Sequence, residues 1–277
     1  MVAATTYEIA CACEQVDAGH LAAQIAALTV LTPTIDPVVV PFAGGVAALS
    51  MPRLSRKLNH VSGAGMQEPI TSEGLRNLHE VYRARGLTLE LDLCPYAHRD
   101  SLRAVAHSEL RVNAYSNTYW CALTSTAAAV RSTTIEVCSS SDPSSDAFIR
   151  TSVQGFLAHP QPRSHELLTL LARCACVRAD TTLFTAKVNG KLAGTAALAL
   201  FPTLVGSAAM LYLASTLPEF RGQGVQAELF AHRLAKASEL GARMAVVTAR
   251  PGTSSARNAE RAGLQLAYTK PTFSARY

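Results

Sequence analysis

The sequence predicts an α/β protein built as two similar halves, and three features carry that prediction. An apolar strand over residues 208–215 runs through Pro218 into the glycine loop Arg221-Gly222-Gln223-Gly224-Val225-Gln226, and an amphipathic helix follows at once. Asn189-Gly190 separates two apolar runs, 182–188 and 192–200, and is the strongest short hairpin signal in the chain. The order strand, proline-containing turn, short helix, closing strand occurs twice, over 87–120 and again over 244–273.

Bulk properties bound the remaining classes. A chain of 277 residues suits one large domain or two of ordinary size. Hydrophobic residues make up 49% and charged residues 16%, enough to bury a core and too apolar for disorder. No apolar run reaches the ~18 residues needed to span a bilayer. Glu8 and Glu14 interrupt the start, where a secretory leader carries a basic end and an apolar block. The seven cysteines are scattered, and Cys11-x-Cys13 and Cys174-x-Cys176 lack the two-residue spacer of common zinc pairs, so no metal site is expected. Such a set fits reduced thiols in a cytoplasmic protein. The net charge of +5 is unclustered and its densest patch, residues 53–57, has no neighbouring aromatics, which argues against nucleic acid as a partner.

In the first half, Leu75, Leu78, Val81 and Tyr82 mark the buried face of a helix over 70–85, closed by Gly86. Residues 58–65 occupy the place of a strand and phosphate loop before it. No arginine stands three residues ahead of a Gly-x-Gly there, and Glu68 and Pro69 follow, a carboxylate that would repel phosphate. The small-residue stretch 125–133 is the expected boundary. Beyond it the pattern gives a strand at 135–138, a polar turn at 139–142 and helices over 147–157 and 164–175, the second capped by Ser164. After the hairpin and the glycine loop come a helix over 225–240 stopped by Gly241 and a buried strand over 244–248. A short helix follows, capped by Thr253, Ser254 or Ser255 and ending at Ala262, and residues 264–272 read as a final strand pair.

The glycine loop is where chemistry is expected. Glycines let a ligand approach the backbone closely, and a helix N-terminus favours negative charge, so a phosphate-bearing ligand should bind there. Gly222-x-Gly224-x-x-Ala227 also satisfies the dinucleotide fingerprint, with Arg250 placed for a 2′-phosphate. Topology disfavours that reading, because the fingerprint belongs on the first strand of a βαβαβ unit and only about 35 residues follow the helix here. A nucleotide-hydrolysing P-loop is excluded by the lack of Gly-Lys-Ser/Thr.

Over roughly 181–277 the order of parts resembles the GCN5-related N-acetyltransferases, the GNAT superfamily. Arg221 and Gly224 match the first two fixed positions of its acyl-CoA loop, Arg/Gln-x-x-Gly-x-Gly/Ala, and Gln226 departs from the third. Asn258 and Gly263-Leu264 are similar to the family's Asn ahead of a short helix that closes with Gly-Phe. The resemblance implies two tandem domains, each a mixed, mainly antiparallel sheet flanked by helices. Residues 1–128 form a degenerate GNAT-like domain and 129–277 the acyl-CoA-binding one. It implies acetyl-CoA as acyl donor, with Arg221, Gly222, Gln223, Gly224, Val225 and Gln226 cradling the pyrophosphate. Ser215 and Thr216 then offer backbone N–H groups to the pantetheine and thioester, and Asn258 helps hold the pantetheine arm.

The general base is harder to place. Family members with a Glu early on the strand before the loop have it where Met210 stands here, and those with a His have it where this chain has Tyr212. The Tyr that often protonates the leaving thiolate corresponds to Ala259. Tyr212 and Tyr268 are therefore the catalytic candidates, each with a core role as the alternative. His165 and Glu166 lie at a helix start that covers the acceptor site in this superfamily. The expected acceptor is a small-molecule amine, with the first half walling one side of its pocket; a non-catalytic acyl-CoA sensor or scaffold is the alternative.

Overall fold

The computed structural model describes residues 4–123, 134–140, 146–159 and 164–275. The first half runs α1 (Tyr7–Leu31), β1 (Val38–Phe42), β2 (Gly45–Leu49), β3 (Val61–Ser62), α2 (Ser72–Ala84), β4 (Glu90–Asp92), α3 (Arg99–Ala106) and β5 (Arg111–Ala122). The second runs β6 (Ile135–Ser140), α4 (Asp146–Leu157), α5 (His165–Val177), β7 (Thr181–Val188), β8 (Lys191–Thr203) and β9 (Gly206–Thr216). It then continues through α6 (Val225–Glu239), β10 (Met244–Ala249), α7 (Ser254–Arg261) and β11 (Gln265–Ser274). The expected boundary at 125–133 lies outside the described residues.

One eleven-stranded sheet joins the halves in the order β1-β2-β3-β4-β11-β5-β10-β9-β8-β7-β6. Only β3–β4 and β9–β10 pair parallel, each through a helical crossover, α2 and α6. The two halves thus repeat one plan of antiparallel strands followed by a parallel pair. Their closing strands cross over: β5 of the first half lies between β11 and β10, and β11 lies between β4 and β5. This corrects the expected strand pair at 264–272. The segment is one strand, kept extended because it pairs with β5 along most of its length and with β4 at its end.

The hairpin forms as its turn residues dictate, with Asn189 at φ 48° and Gly190 at φ 76°, the two positive values of a type I′ turn. Helix α1 has no predicted counterpart. Thr6 caps it by accepting from the Ile9 N–H, but its buried residues, among them Cys13, Val16, Leu21, Ile25 and Leu28, form no single stripe. It packs against β2, β8 and β9 of the sheet and against α5, so it is covered on more than one side. One sheet face, carrying Met210, Trp120, Val246 and Leu91, packs against α1. The other, carrying Leu198, Leu211 and Val247, packs against α6 and α7. No helix among the described residues is long and apolar enough to cross a membrane.

Candidate active site

The site begins where two strands part. β9 and β10 are in register only over 208–210 and 244–246, and past Met210 and Val246 they have no common ladder. β9 continues to Thr216 on β8, but Leu213 and Ala214 stand opposite the single residue Ala196. That bulge holds Leu213 at φ 51°, a left-handed conformation that costs a non-glycine residue about 1 kcal/mol or more. The extra residue re-aims the strand end and its backbone N–H groups, which on the β10 side have no strand to bond.

From Thr216 the chain turns through Pro218–Phe220 into the glycine loop. Gly222 (φ 78°) and Gly224 (φ 87°) are left-handed, and Gly224 is the N-cap of α6. A Cβ at Gly222 would meet nothing within 4 Å, and one at Gly224 only Ile135 Cδ1 at 3.8 Å, so the backbone there faces open space. No side chain caps α6. By contrast Thr6, Thr71, His98, Ser164 and Thr253 cap α1, α2, α3, α5 and α7. The Glu228 N–H bonds the Gly224 carbonyl, which leaves the N–H groups of Val225, Gln226 and Ala227 as the free positive end of the helix. An anion brought to this loop would meet those donors without displacing a side chain.

The predicted loop residues differ in what they touch. Ser215 is turned away from the loop: its hydroxyl lies 3.2 Å from Thr195 Oγ1 and donates to the Ser152 carbonyl at 3.3 Å. Gln226 donates through Nε2 to Thr216 Oγ1 at 2.7 Å, stitching the strand end to the helix start. Arg221 reaches back, donating to the carbonyls of Gly155 (3.2 Å), Ala158 (3.3 Å) and Thr216 (3.4 Å), so its charge sits on the C-terminal end of α4. Gln223 folds onto the Glu219 carbonyl at 2.9 Å. Val225 is buried beneath the loop, and Asn258 is half-buried on α7.

The two tyrosines are separated. Tyr212 lies at the parting of β9 and β10, its hydroxyl 2.7 Å from Thr181 Oγ1 and its ring 4.4 Å from that of His20. Burial pushes its phenol up to about 12, against the pull of Arg178. Tyr268 lies two strands from β10, about 10 Å across the sheet, and donates to Glu14 Oε1 at 2.6 Å. Burial and the Glu14 charge push its phenol well up. Glu166 is exposed and paired with Arg53 at 2.8 Å.

The structure adds residues with no sequence signal. Glu14 and Asp17 of α1 share the ammonium of Lys270 from β11, at 2.9 and 2.7 Å. Thr248 of β10 donates to the other Asp17 oxygen at 3.2 Å. These four come from three distant segments. Only the prediction of α1, with Glu14 and Asp17 three residues apart on one face, would have pointed to them. In the first half, the start of α2 is the counterpart of the glycine loop, and a concavity of about 370 Å³ opens there. Thr71 caps that helix by accepting from the Gly74 N–H at 3.0 Å, so its positive end is already partly used.

Residues 149–264 match the model of the acetyltransferase (GNAT) family. The second half of this chain carries a GNAT domain. Among solved structures, a GCN5-related N-acetyltransferase from Kribbella flavida is similar over 92% of this chain and 96% of its own, at 16% identity and a TM-score of 0.62. A tandem GNAT protein from the clavulanic acid biosynthesis pathway is similar over 95% and 96%, at 14% identity and 0.57. A conserved protein of unknown function from Staphylococcus epidermidis covers 87% and 94%, at 14% and 0.60. At these identities the likeness is one of fold, and it extends over both halves, so the whole chain has the tandem GNAT architecture. Among curated proteins no sequence matches it.

Proposed function

We propose that this GNAT protein is a cytoplasmic, acetyl-CoA-dependent N-acetyltransferase that moves the acetyl group to the amine of a small molecule by direct transfer. In this reading residues 1–128 form a domain that carries no cofactor and 129–277 the domain that does. The observation that carries it is the uncapped N-terminus of α6, reached through two left-handed glycines directly after a bulged strand that has parted from its neighbour. The pyrophosphate would lie on the N–H groups of Val225, Gln226 and Ala227, with Gly222 and Gly224 leaving room. Arg221 and Gln226 act by holding the loop in shape. The pantetheine arm would follow the gap between β9 and β10 past Ser215, Thr216 and Asn258.

The thioester is already activated, so the protein's task is placement and charge. The neutral amine nitrogen attacks the thioester carbon, the C–N bond forms, the C–S bond breaks and CoA leaves as thiolate. One proton leaves the amine nitrogen and one reaches the sulfur. Backbone N–H groups of the bulge are suited to the oxyanion. Tyr212, raised to about 12, keeps its proton at neutral pH and is suited to donate rather than accept. Tyr268, engaged with Glu14, is assigned a supporting role.

Isothermal titration of acetyl-CoA against the wild type and Gly224→Asp tests the reading. The substitution sets a carboxylate where pyrophosphate should lie. Its left-handed φ of 87° costs a non-glycine residue about 1–2 kcal/mol, but its Cβ has room, so a folded variant is expected and its fold is checked by circular dichroism. Micromolar binding lost in the variant supports the site. A folded wild type that binds no acetyl-CoA refutes it, and binding without CoA release on any amine favours a sensor.

A further inference from the structure

We propose that Glu14 and Asp17, on helix α1, form the site that holds the acceptor's ammonium group, so that the first half of the chain supplies the charge for a reaction on the second. This rests on the acetyltransferase reading. On the α1 face of the sheet, the first residues beyond the last β9–β10 pair are Tyr212, two past Met210, and Thr248, two past Val246. Helix α1 bridges the gap between them. His20 stacks edge-on against Tyr212 with ring centres 4.4 Å apart, and Asp17 takes the hydrogen bond of Thr248 at 3.2 Å. An acyl group entering between the strands from the α6 side would emerge between these two residues, beside the Asp17 that Thr248 bonds. Tyr212, Thr248 and Asp17 keep partial solvent access, whereas Glu14 and Lys270 behind them are about 1% exposed.

The cluster lacks one cation. Two carboxylates share the single ammonium of Lys270, and Tyr268 is the other donor to Glu14, on the same oxygen, Oε1. Glu14 Oε2 is buried with no hydrogen-bond partner. A buried carboxylate oxygen without a donor is costly, and such groups are normally paired. The neighbours offer no compensating charge. Burial, with Arg178, keeps His20 neutral by lowering it well below its ordinary range. Burial pushes the Cys94 thiol to about 12 and that of Cys13 well up, so both stay uncharged. Burial first, and then the charge of Asp17, push the Glu14 carboxyl up, against Lys270 and Tyr268. An incoming ammonium brings both the charge and the N–H donors that are missing. The acceptor is therefore a cationic amine, which binds as ammonium and releases one proton to solvent before its neutral nitrogen attacks.

The test compares wild type, Asp17→Asn, Asp17→Glu and Glu14→Gln. Acetyl-CoA binding is read by titration and CoA release is followed with methylamine, cadaverine, benzylamine and glycine methyl ester. Acetyl-CoA affinity should stay within about twofold throughout, because the α6 loop is untouched. For amines that the wild type acetylates, KM should rise about thirtyfold in Asp17→Asn, the usual loss on neutralising one partner of a buried charge contact, with kcat changed less. Asp17→Glu should recover part of that loss, and a strap merely tying α1 to β11 would lower stability without a selective rise in the amine KM. If Asp17→Asn does not fold, Glu14→Gln should raise the same KM. An unchanged KM in the folded variants, or transfer to none of the four amines, overturns the proposal while intact acetyl-CoA binding leaves the cofactor site standing. Absence of acetyl-CoA binding in the wild type overturns both.

Discussion

Replacing Lys270 with Met should be the most damaging single change at the junction of the halves. Its ammonium lies 2.9 Å from Glu14 and 2.7 Å from Asp17, with side chains 1%, 2% and 10% exposed. Removing it leaves two carboxylates close together, with Tyr268 and Thr248 as their remaining donors. Breaking one side of a buried ion pair costs about 3–5 kcal/mol, because the surviving charge stays desolvated. Against a total stability of roughly 5–15 kcal/mol that is a large fraction. It corresponds to a fall in Tm on the order of 10 °C for a chain of this size. Urea unfolding followed by the fluorescence of Trp120 reads it directly. The chain has one tryptophan, which is buried on β5 between the halves, its indole N–H donating to Thr5 Oγ1 at 3.2 Å. The triple variant Glu14→Gln, Asp17→Asn, Lys270→Met should recover most of the loss, since no charge is then stranded. A Lys270→Met protein within about 1 kcal/mol of wild type at pH 7 would refute the reasoning, because the ammonium would then not be balancing the carboxylates.

Tyr212→Phe keeps the ring on His20 but removes the hydroxyl, and should lower kcat by about a hundredfold, the low end for a general acid, with acetyl-CoA affinity unchanged by titration. Gly155→Ala would set a Cβ 2.7 Å from Ser215 Oγ and 2.8 Å from Ser215 Cβ, forcing α4 away from the end of β9. It should cost about 1–3 kcal/mol in urea and weaken acetyl-CoA binding as well. Burial would raise the Asp92 carboxyl, but Arg56, 2.6 Å away, outweighs it and holds the group at about 2, below its ordinary 3.8. That stability is present above 3.8 and lost as pH falls towards 2, so Asp92→Asn should be less stable by about 2 kcal/mol at pH 5, with the gap to wild type closing over that range.

Much of the glycine-loop side of the candidate site was legible because its signals are local. Gly222 and Gly224 are left-handed as their identity allows, Asn189-Gly190 makes its turn, and Ser164 and Thr253 cap the helices that follow them. Each depends on a few neighbouring backbone torsions, and one sequence window contains them all. The parting of β9 and β10, the bulge at Leu213 and the turning of Arg221 onto α4 were not legible. Leu213 has no preference for positive φ and is held there by the pairing of β8 on one side and its absence on the other. Helix α1 escaped detection because a helix covered on several sides loses the single apolar stripe that marks a surface helix.

The sequence by itself determined the glycine loop, the alternation of strands and helices and the repeat of one plan in two halves, since each follows from torsional preference and hydrophobic period. Only the tertiary structure decided the exchange of β5 and β11. Both are extended segments of mixed polarity, and which strand each one joins depends on the whole sheet assembling. The same holds for Glu14, Asp17, Thr248 and Lys270, more than 250 residues apart at their extremes in contact. Their shared charge arises only when α1 is laid across the strands, because a carboxylate acquires its cost and its purpose from the low-dielectric surroundings that the fold builds around it.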